Sequence, residues 1–263
     1  MNMPFTSVRT IITSLVIFCI AMGFLEASVV VYLRQLYYPD GFTFPLRFMA
    51  IEELSIEYLR EVSTVIMLLS VSIVAGKNFY ARMSYFLLCF GIWDIFYYVW
   101  LKVLLNWPPS FLTWDILFLI PVVWAGPVLA PIICAATMLI VAGSVLSCQQ
   151  KGYPVRITLH EWGLLFSGVV LIFITFIWDY SKIILQKGLT LRLLTLRTDP
   201  YFQKIVAHYV PVNYQWFLFL SGESLILCFL VIFFRRTRAF KPVVTESISL
   251  IGTGRQGSCK EEA

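Results

Sequence analysis

Six long runs of apolar residues dominate this chain. Each run is long enough to cross a bilayer core about 30 Å thick, because a helix rises about 1.5 Å per residue. The predicted crossings are residues 11–33, 56–76, 83–105, a segment within 116–148, 162–180 and 214–234. The sequence therefore predicts an all-α fold, that of a polytopic helical membrane protein with about six transmembrane helices.

The composition argues against the main classes of soluble protein. Hydrophobic residues make up 59% of the 263 residues and charged residues only 13%, against roughly 45–50% and about 25% in soluble domains. So few charged side chains cannot cover a soluble surface. A soluble enzyme, a nucleic-acid-binding protein and a disulfide-linked secreted module are therefore poor interpretations, and the lipid bilayer is the expected partner.

The basic residues predict how the chain is oriented. With both termini on one side, that side carries eleven Lys and Arg and the other side eight. The positive-inside rule then favours cytoplasmic termini, in a membrane of the bacterial inner-membrane type. Residues 1–234 are expected to form one membrane domain and residues 235–263 a basic, disordered tail. Residues 181–210 alternate apolar and basic side chains, which is typical of an interfacial segment.

Prolines interrupt the fourth apolar region. Each proline removes a backbone donor and clashes with the preceding helical turn. We expect a proline-broken or re-entrant segment over residues 116–131, with a short helix over 116–124 and a full crossing from about residue 127. One long helix kinked by its prolines remains an alternative, and whether residues 116–148 cross once or twice stays open. The segment is predicted to form a cavity wall that comprises Pro121, Trp124, Gly126, Pro127 and Pro131.

Ionisable residues inside the apolar runs are the strongest indication of a functional site. A charge near the bilayer centre costs about 2.5–3.5 kcal/mol, so such residues normally face the bundle interior. At about 1.5 Å per residue, four of the acidic residues fall roughly 8–17 Å below the outer surface, in one layer: Glu26, Glu61, Asp94 and Glu223. The predicted intramembrane polar cluster comprises Glu26, Glu57, Arg60, Glu61, Asp94 and Glu223.

A simpler interpretation exists for part of this cluster. Glu57 lies near the amino terminus of its helix, where the helix dipole favours negative charge. Arg60 follows Glu57 by three residues and can neutralise it, Glu61 or Asp94. The chain has no GxxxxGK[ST] phosphate loop, no GxSxG and no HExxH, so no motif identifies a catalytic residue or a cofactor. The six cysteines show no CxxC spacing, and no metal site is predicted.

Three functions are compatible with this pattern. The first is a cation- or proton-coupled transporter that uses the intramembrane carboxylates. The second is a non-catalytic membrane subunit of a larger complex, because the chain has short loops and no catalytic motif. The third is an intramembrane enzyme acting on a lipid or quinone-like substrate, with a carboxylate as the general base.

Overall fold

Six long helices make up most of the described part of the chain. A computed structural model describes residues 7–47, 49–120, 122–186 and 208–240. The helices are α1 (Val8–Tyr37), α2 (Ile51–Ala75), α3 (Phe79–Leu105), α4 (Leu129–Gln150), α5 (Leu159–Gln186) and α6 (Trp216–Ala239). All six are long and apolar enough to cross a membrane, which confirms the predicted class of fold. Among the described residues of the region 116–148, one of these helices is present, so the region contains one helix that could cross a membrane.

The helix ends lie close to the predicted ones, and side-chain caps explain several of them. The Ser7 hydroxyl accepts a hydrogen bond from the Thr10 backbone N–H at 3.2 Å at the start of α1. The Asn78 side chain accepts one from the Ala81 N–H at 2.9 Å at the start of α3. Such caps satisfy backbone donors that the first helical turn leaves without partners.

Two predicted segments lie largely outside the described residues. Helix α5 continues to Gln186, so the first residues of the predicted interfacial segment 181–210 are helical, and residues 187–207 are not described. Helix α6 continues five residues past the predicted end at residue 234. The remainder of the predicted tail, residues 241–263, also lies outside the described part of the chain.

The helices run alternately up and down. Helices α1, α3 and α5 end, and α2, α4 and α6 begin, at one end of the bundle, which we call the hairpin end. Helix α3 packs against α1, α2 and α4, and α5 packs against α6. The α5–α6 contact is very close, since a Cβ added at Gly168 would lie 2.7 Å from the Gly222 carbonyl oxygen. Only glycine allows two backbones to approach so closely.

The proline-rich region forms two strands instead of a short helix. Strand β1 (Trp114–Phe118) pairs with β2 (Trp124–Pro127) in an antiparallel hairpin just before α4. The predicted helix over residues 116–124 is therefore wrong, and so is the alternative of one long kinked helix. Non-helical backbone at membrane depth must be hydrogen-bonded and shielded by protein. The strand pairing provides these bonds, and helix α5 packs against β2.

Candidate functional site

A cavity of about 620 Å³ lies between the hairpin and the helices. Every helix contributes to its wall, as do both strands and the loop between α1 and α2. Apolar and aromatic side chains form most of the lining, among them Phe90, Trp93, Phe118, Phe173 and Phe176. This size and lining are typical of a small-molecule site, in which a few polar groups orient the ligand.

All six residues of the predicted polar cluster line this cavity. Arg60 of α2 forms the centre of an ionic network with two of them. Its Nε donates to Glu57 Oε2 at 2.9 Å, and its two terminal nitrogens pair with Glu57 and with Glu26 of α1. Part of the simpler interpretation therefore fits, since Arg60 neutralises Glu57. The contact of Arg60 with Glu26 also joins α2 to α1.

Glu61 holds the tip of the hairpin. Its two carboxylate oxygens accept hydrogen bonds from the Leu119 backbone N–H at 3.1 and 2.9 Å. The Glu61 side chain is buried, and Leu119 follows directly after strand β1. A backbone donor of the non-helical segment is thereby satisfied by a side chain of α2.

Glu223 of α6 lies apart from the Arg60 network. The Thr137 hydroxyl of α4 donates a hydrogen bond to Glu223 Oε2 at 2.7 Å, and both side chains are buried. Within the described ranges no Lys, Arg or His lies within ion-pair distance of this carboxylate. This hydrogen bond links α4 to α6, which both contribute to the cavity wall.

Asp94 is the one member of the predicted cluster without a partner among the described residues. It lies in the middle of α3, is half-buried and lines the cavity. No hydrogen bond or ion pair joins its carboxylate to another described side chain or backbone group. Its charged neighbours within electrostatic range include the carboxylates of Asp115 and Glu26. The cavity therefore contains an acidic group that forms no ion pair with a described residue.

The sequence did not identify a second ion pair at the cavity. Arg34 Nη2 of α1 donates to Asp115 Oδ1 of β1 at 3.1 Å, and both residues are buried. The Arg34 guanidinium carbon also lies 3.8 Å from the centre of the Trp107 ring and 4.7 Å from that of Phe42. Arg34 is near the end of its helix, where a basic residue is ordinary, so its sequence position did not single it out.

Arg47 and Tyr38 lie at the rim of the cavity at the hairpin end. Arg47 is exposed, and its backbone N–H donates to the Tyr38 hydroxyl at 2.7 Å. Burial raises the pKa of Tyr38, so this phenol is neutral at physiological pH. Of these two rim residues, only Arg47 is therefore charged.

Two of the five residues that were predicted to form a cavity wall are among the lining residues of this cavity. Trp124 and Pro131 line the cavity, and the Trp124 ring stacks on Phe176 with 6.2 Å between centroids. Gly126 and Pro127 lie in strand β2 and are buried, but they are not among the lining residues. Pro121 lies outside the described residues.

The ionisable lining is predominantly acidic. Six carboxylates, those of the predicted cluster together with Asp115, face three guanidiniums, those of Arg34, Arg47 and Arg60. Within the described ranges, no group of three or more His, Cys, Asp or Glu side chains is arranged to hold a metal ion. No family model, no curated protein and no solved structure matches this chain.

Proposed function

We propose that the chain binds an amphipathic organic cation in the cavity and carries it across the membrane in exchange for protons. Asp94 is the shared site of the cation and the proton. The observation that carries this proposal is the position of Asp94, whose carboxylate faces an apolar, aromatic-lined cavity and has no partner among the described residues.

The charge distribution supports a cationic ligand. Arg60 is paired with Glu26 and Glu57, and Arg34 with Asp115. The other three carboxylates of the lining form no ion pair with any described residue: Glu61, Asp94 and Glu223. A carboxylate in a medium of low dielectric is costly unless it is paired or protonated. An organic cation and a proton each remove this cost, so their binding at Asp94 is mutually exclusive. Mutually exclusive binding is the basis of exchange transport.

The apolar lining supports an amphipathic ligand over an inorganic ion. A metal ion prefers several oxygen ligands, whereas most of this lining is hydrocarbon and aromatic. The faces of Trp93 and Phe90 on the same helix as Asp94 are suited to an organic ammonium or phosphonium group, which is attracted to aromatic faces. We place the hairpin end on the outer side and the termini in the cytoplasm, because the predicted topology assigns eleven Lys and Arg to the side of the termini and eight to the other side.

The second candidate is binding of a neutral lipid or quinone-like molecule by an intramembrane enzyme. The observation that favours it is again the predominantly apolar lining of the cavity. The two candidates differ in the role of Asp94, because a neutral ligand does not need an opposite charge. A cation requires the ionised carboxylate.

Equilibrium binding of tetraphenylphosphonium to the protein in lipid nanodiscs tests the proposal. We expect saturable binding that strengthens as pH rises, and loss of at least tenfold in affinity in Asp94→Asn. Glu52→Gln is the matched control, because it removes the same charge from an exposed position outside the cavity. Equal affinity of the wild type and Asp94→Asn would contradict the proposal. Binding of a short-chain quinone in place of the cation, unaffected by Asp94→Asn, would favour the second candidate.

A further inference from the structure

We propose that the hairpin end of the cavity contains an anion-binding subsite centred on Arg34, so that the ligand is a zwitterionic amphiphile with its cationic group at Asp94. This inference rests on the proposed function, since it uses the same cavity and the same cation site. It adds a second polar contact and narrows the class of ligand.

The Arg34 guanidinium is held rigidly with one terminal nitrogen free. Its side chain is only 9% exposed, and Nη2 is bound to Asp115 Oδ1 at 3.1 Å. The rings of Trp107 and Phe42 lie against the guanidinium at 3.8 and 4.7 Å. Nη1 is buried and forms no hydrogen bond with any described residue. A buried donor without an acceptor is costly and normally has a partner in the functional state.

The chemistry of this free nitrogen favours a carboxylate or a phosphate. Guanidinium groups bind these anions through planar, charge-assisted hydrogen bonds, and the aromatic contacts fix the plane of the Arg34 group. Arg47 also lines the cavity at this end and is exposed. It adds a second positive charge close to the subsite.

The surrounding carboxylates explain why the anion must belong to a zwitterion. Arg34 is paired with Asp115, and Asp115 lies within electrostatic range of Asp94. A free anion at Arg34 is repelled by these two carboxylates and by the acidic excess of the lining. A ligand that also brings a cation to Asp94 compensates for that repulsion. The cavity therefore offers a carboxylate at Asp94 and a guanidinium at Arg34, which complement a ligand that carries one positive and one negative charge.

Three probes of one chain length separate the contributions: octylamine, octanoate and 8-aminooctanoate. Their affinities are measured by titration calorimetry on protein in nanodiscs, with empty nanodiscs subtracted. The main variant is the double substitution Arg34→Gln/Asp115→Asn, which removes the ion pair without changing the net charge. We expect it to weaken 8-aminooctanoate at least tenfold and to change octylamine binding by less than threefold.

Further variants keep the test decisive. Arg34→Lys keeps the charge opposite Asp115 but not the planar fork, and we expect it to weaken 8-aminooctanoate at least threefold even if the double variant does not fold. Asp94→Asn is expected to weaken octylamine and 8-aminooctanoate alike, and octanoate is expected to bind most weakly to the wild type.

The outcomes distinguish this inference from the proposed function. If octylamine depends on Asp94 but 8-aminooctanoate is unaffected by either Arg34 variant, the anion subsite is refuted and the cation site stands. The subsite is also refuted if both probes weaken equally in those variants. If the affinity for octylamine is unchanged in Asp94→Asn while the affinity for 8-aminooctanoate falls in the Arg34 variants, the cation site is refuted and the anion subsite is supported.

Discussion

Removal of the Arg60 charge is expected to destabilise the protein more than any other single change at the cavity. The variant Arg60→Gln leaves the carboxylates of Glu26 and Glu57 without their cation, and the side chains of both are only 11% exposed. Breaking a buried ion pair by removing one partner costs about 3–5 kcal/mol. Because the Arg60 side chain is 21% exposed, we expect a loss of stability near the lower end of this range, about 3 kcal/mol.

The triple variant Glu26→Gln/Glu57→Gln/Arg60→Gln tests the cause of this loss. All three groups become neutral while their shapes are nearly kept, so no unpaired charge remains. Replacing all members of a buried ionic group by uncharged residues often changes the free energy of unfolding little. We therefore expect the triple variant to regain at least half of the stability that Arg60→Gln loses. The assay is the free energy of unfolding in mixed micelles, with the exposed Arg9→Gln as the control. A loss below about 1 kcal/mol in Arg60→Gln, or a triple variant less stable than the single one, would refute the electrostatic explanation.

The remaining predictions concern contacts between α5 and α6 and between α2 and the hairpin. Gly222→Ala places a Cβ 2.8 Å from the Gly168 carbonyl oxygen and should lower the free energy of unfolding by about 1–3 kcal/mol. Gly143→Ala is the control, because nothing lies within 4 Å of the added Cβ. It should leave the free energy of unfolding unchanged or raise it. Glu61→Ala removes the acceptors of the Leu119 N–H and should increase hydrogen exchange at the hairpin tip, which unaltered exchange would contradict. Glu161→Gln weakens the paired contacts of Arg236 at 2.8 and 2.9 Å and should lower stability by about 1–2 kcal/mol, with a similar loss in Arg236→Gln if the two side chains act as one unit.

Much of the architecture follows from the sequence, because length and hydropathy suffice to identify membrane helices. A bilayer core of fixed thickness requires about 20 apolar residues per helix, and six runs meet this requirement. The convergence of the charged residues on one cavity also follows from their cost in lipid, which forces them toward the interior. Asp94 and Glu223 are 129 positions apart in the sequence and still line the same space.

The hairpin could not be predicted in the same way. Prolines indicate where a helix breaks but not what replaces it, and the strand pairing depends on shielding by α5 and on the bond from Leu119 to Glu61. These are contacts between segments distant in sequence. The residues 114–118 contain no strict alternation of apolar and polar side chains that would indicate a strand.

Arg34 was missed for a related reason. A basic residue close to the end of a membrane helix is ordinary, since its side chain can reach the interface. Only the folded chain brings Asp115, Trp107 and Phe42 around it. Asp115 follows Trp114 in a segment where a tryptophan and a carboxylate are expected at the membrane surface, so neither partner of this ion pair was conspicuous in the sequence.

Exchange of a cation for protons through the cavity is the central claim, and uptake into proteoliposomes tests it most directly. Vesicles with an acidic interior would be given external ethidium, and its accumulation followed by fluorescence. The proposed mechanism predicts that wild-type protein and Glu52→Gln accumulate the cation only while the pH gradient lasts, and that Asp94→Asn does not accumulate it. Uptake by Asp94→Asn at the wild-type rate, or wild-type uptake that is independent of the gradient, would contradict the mechanism.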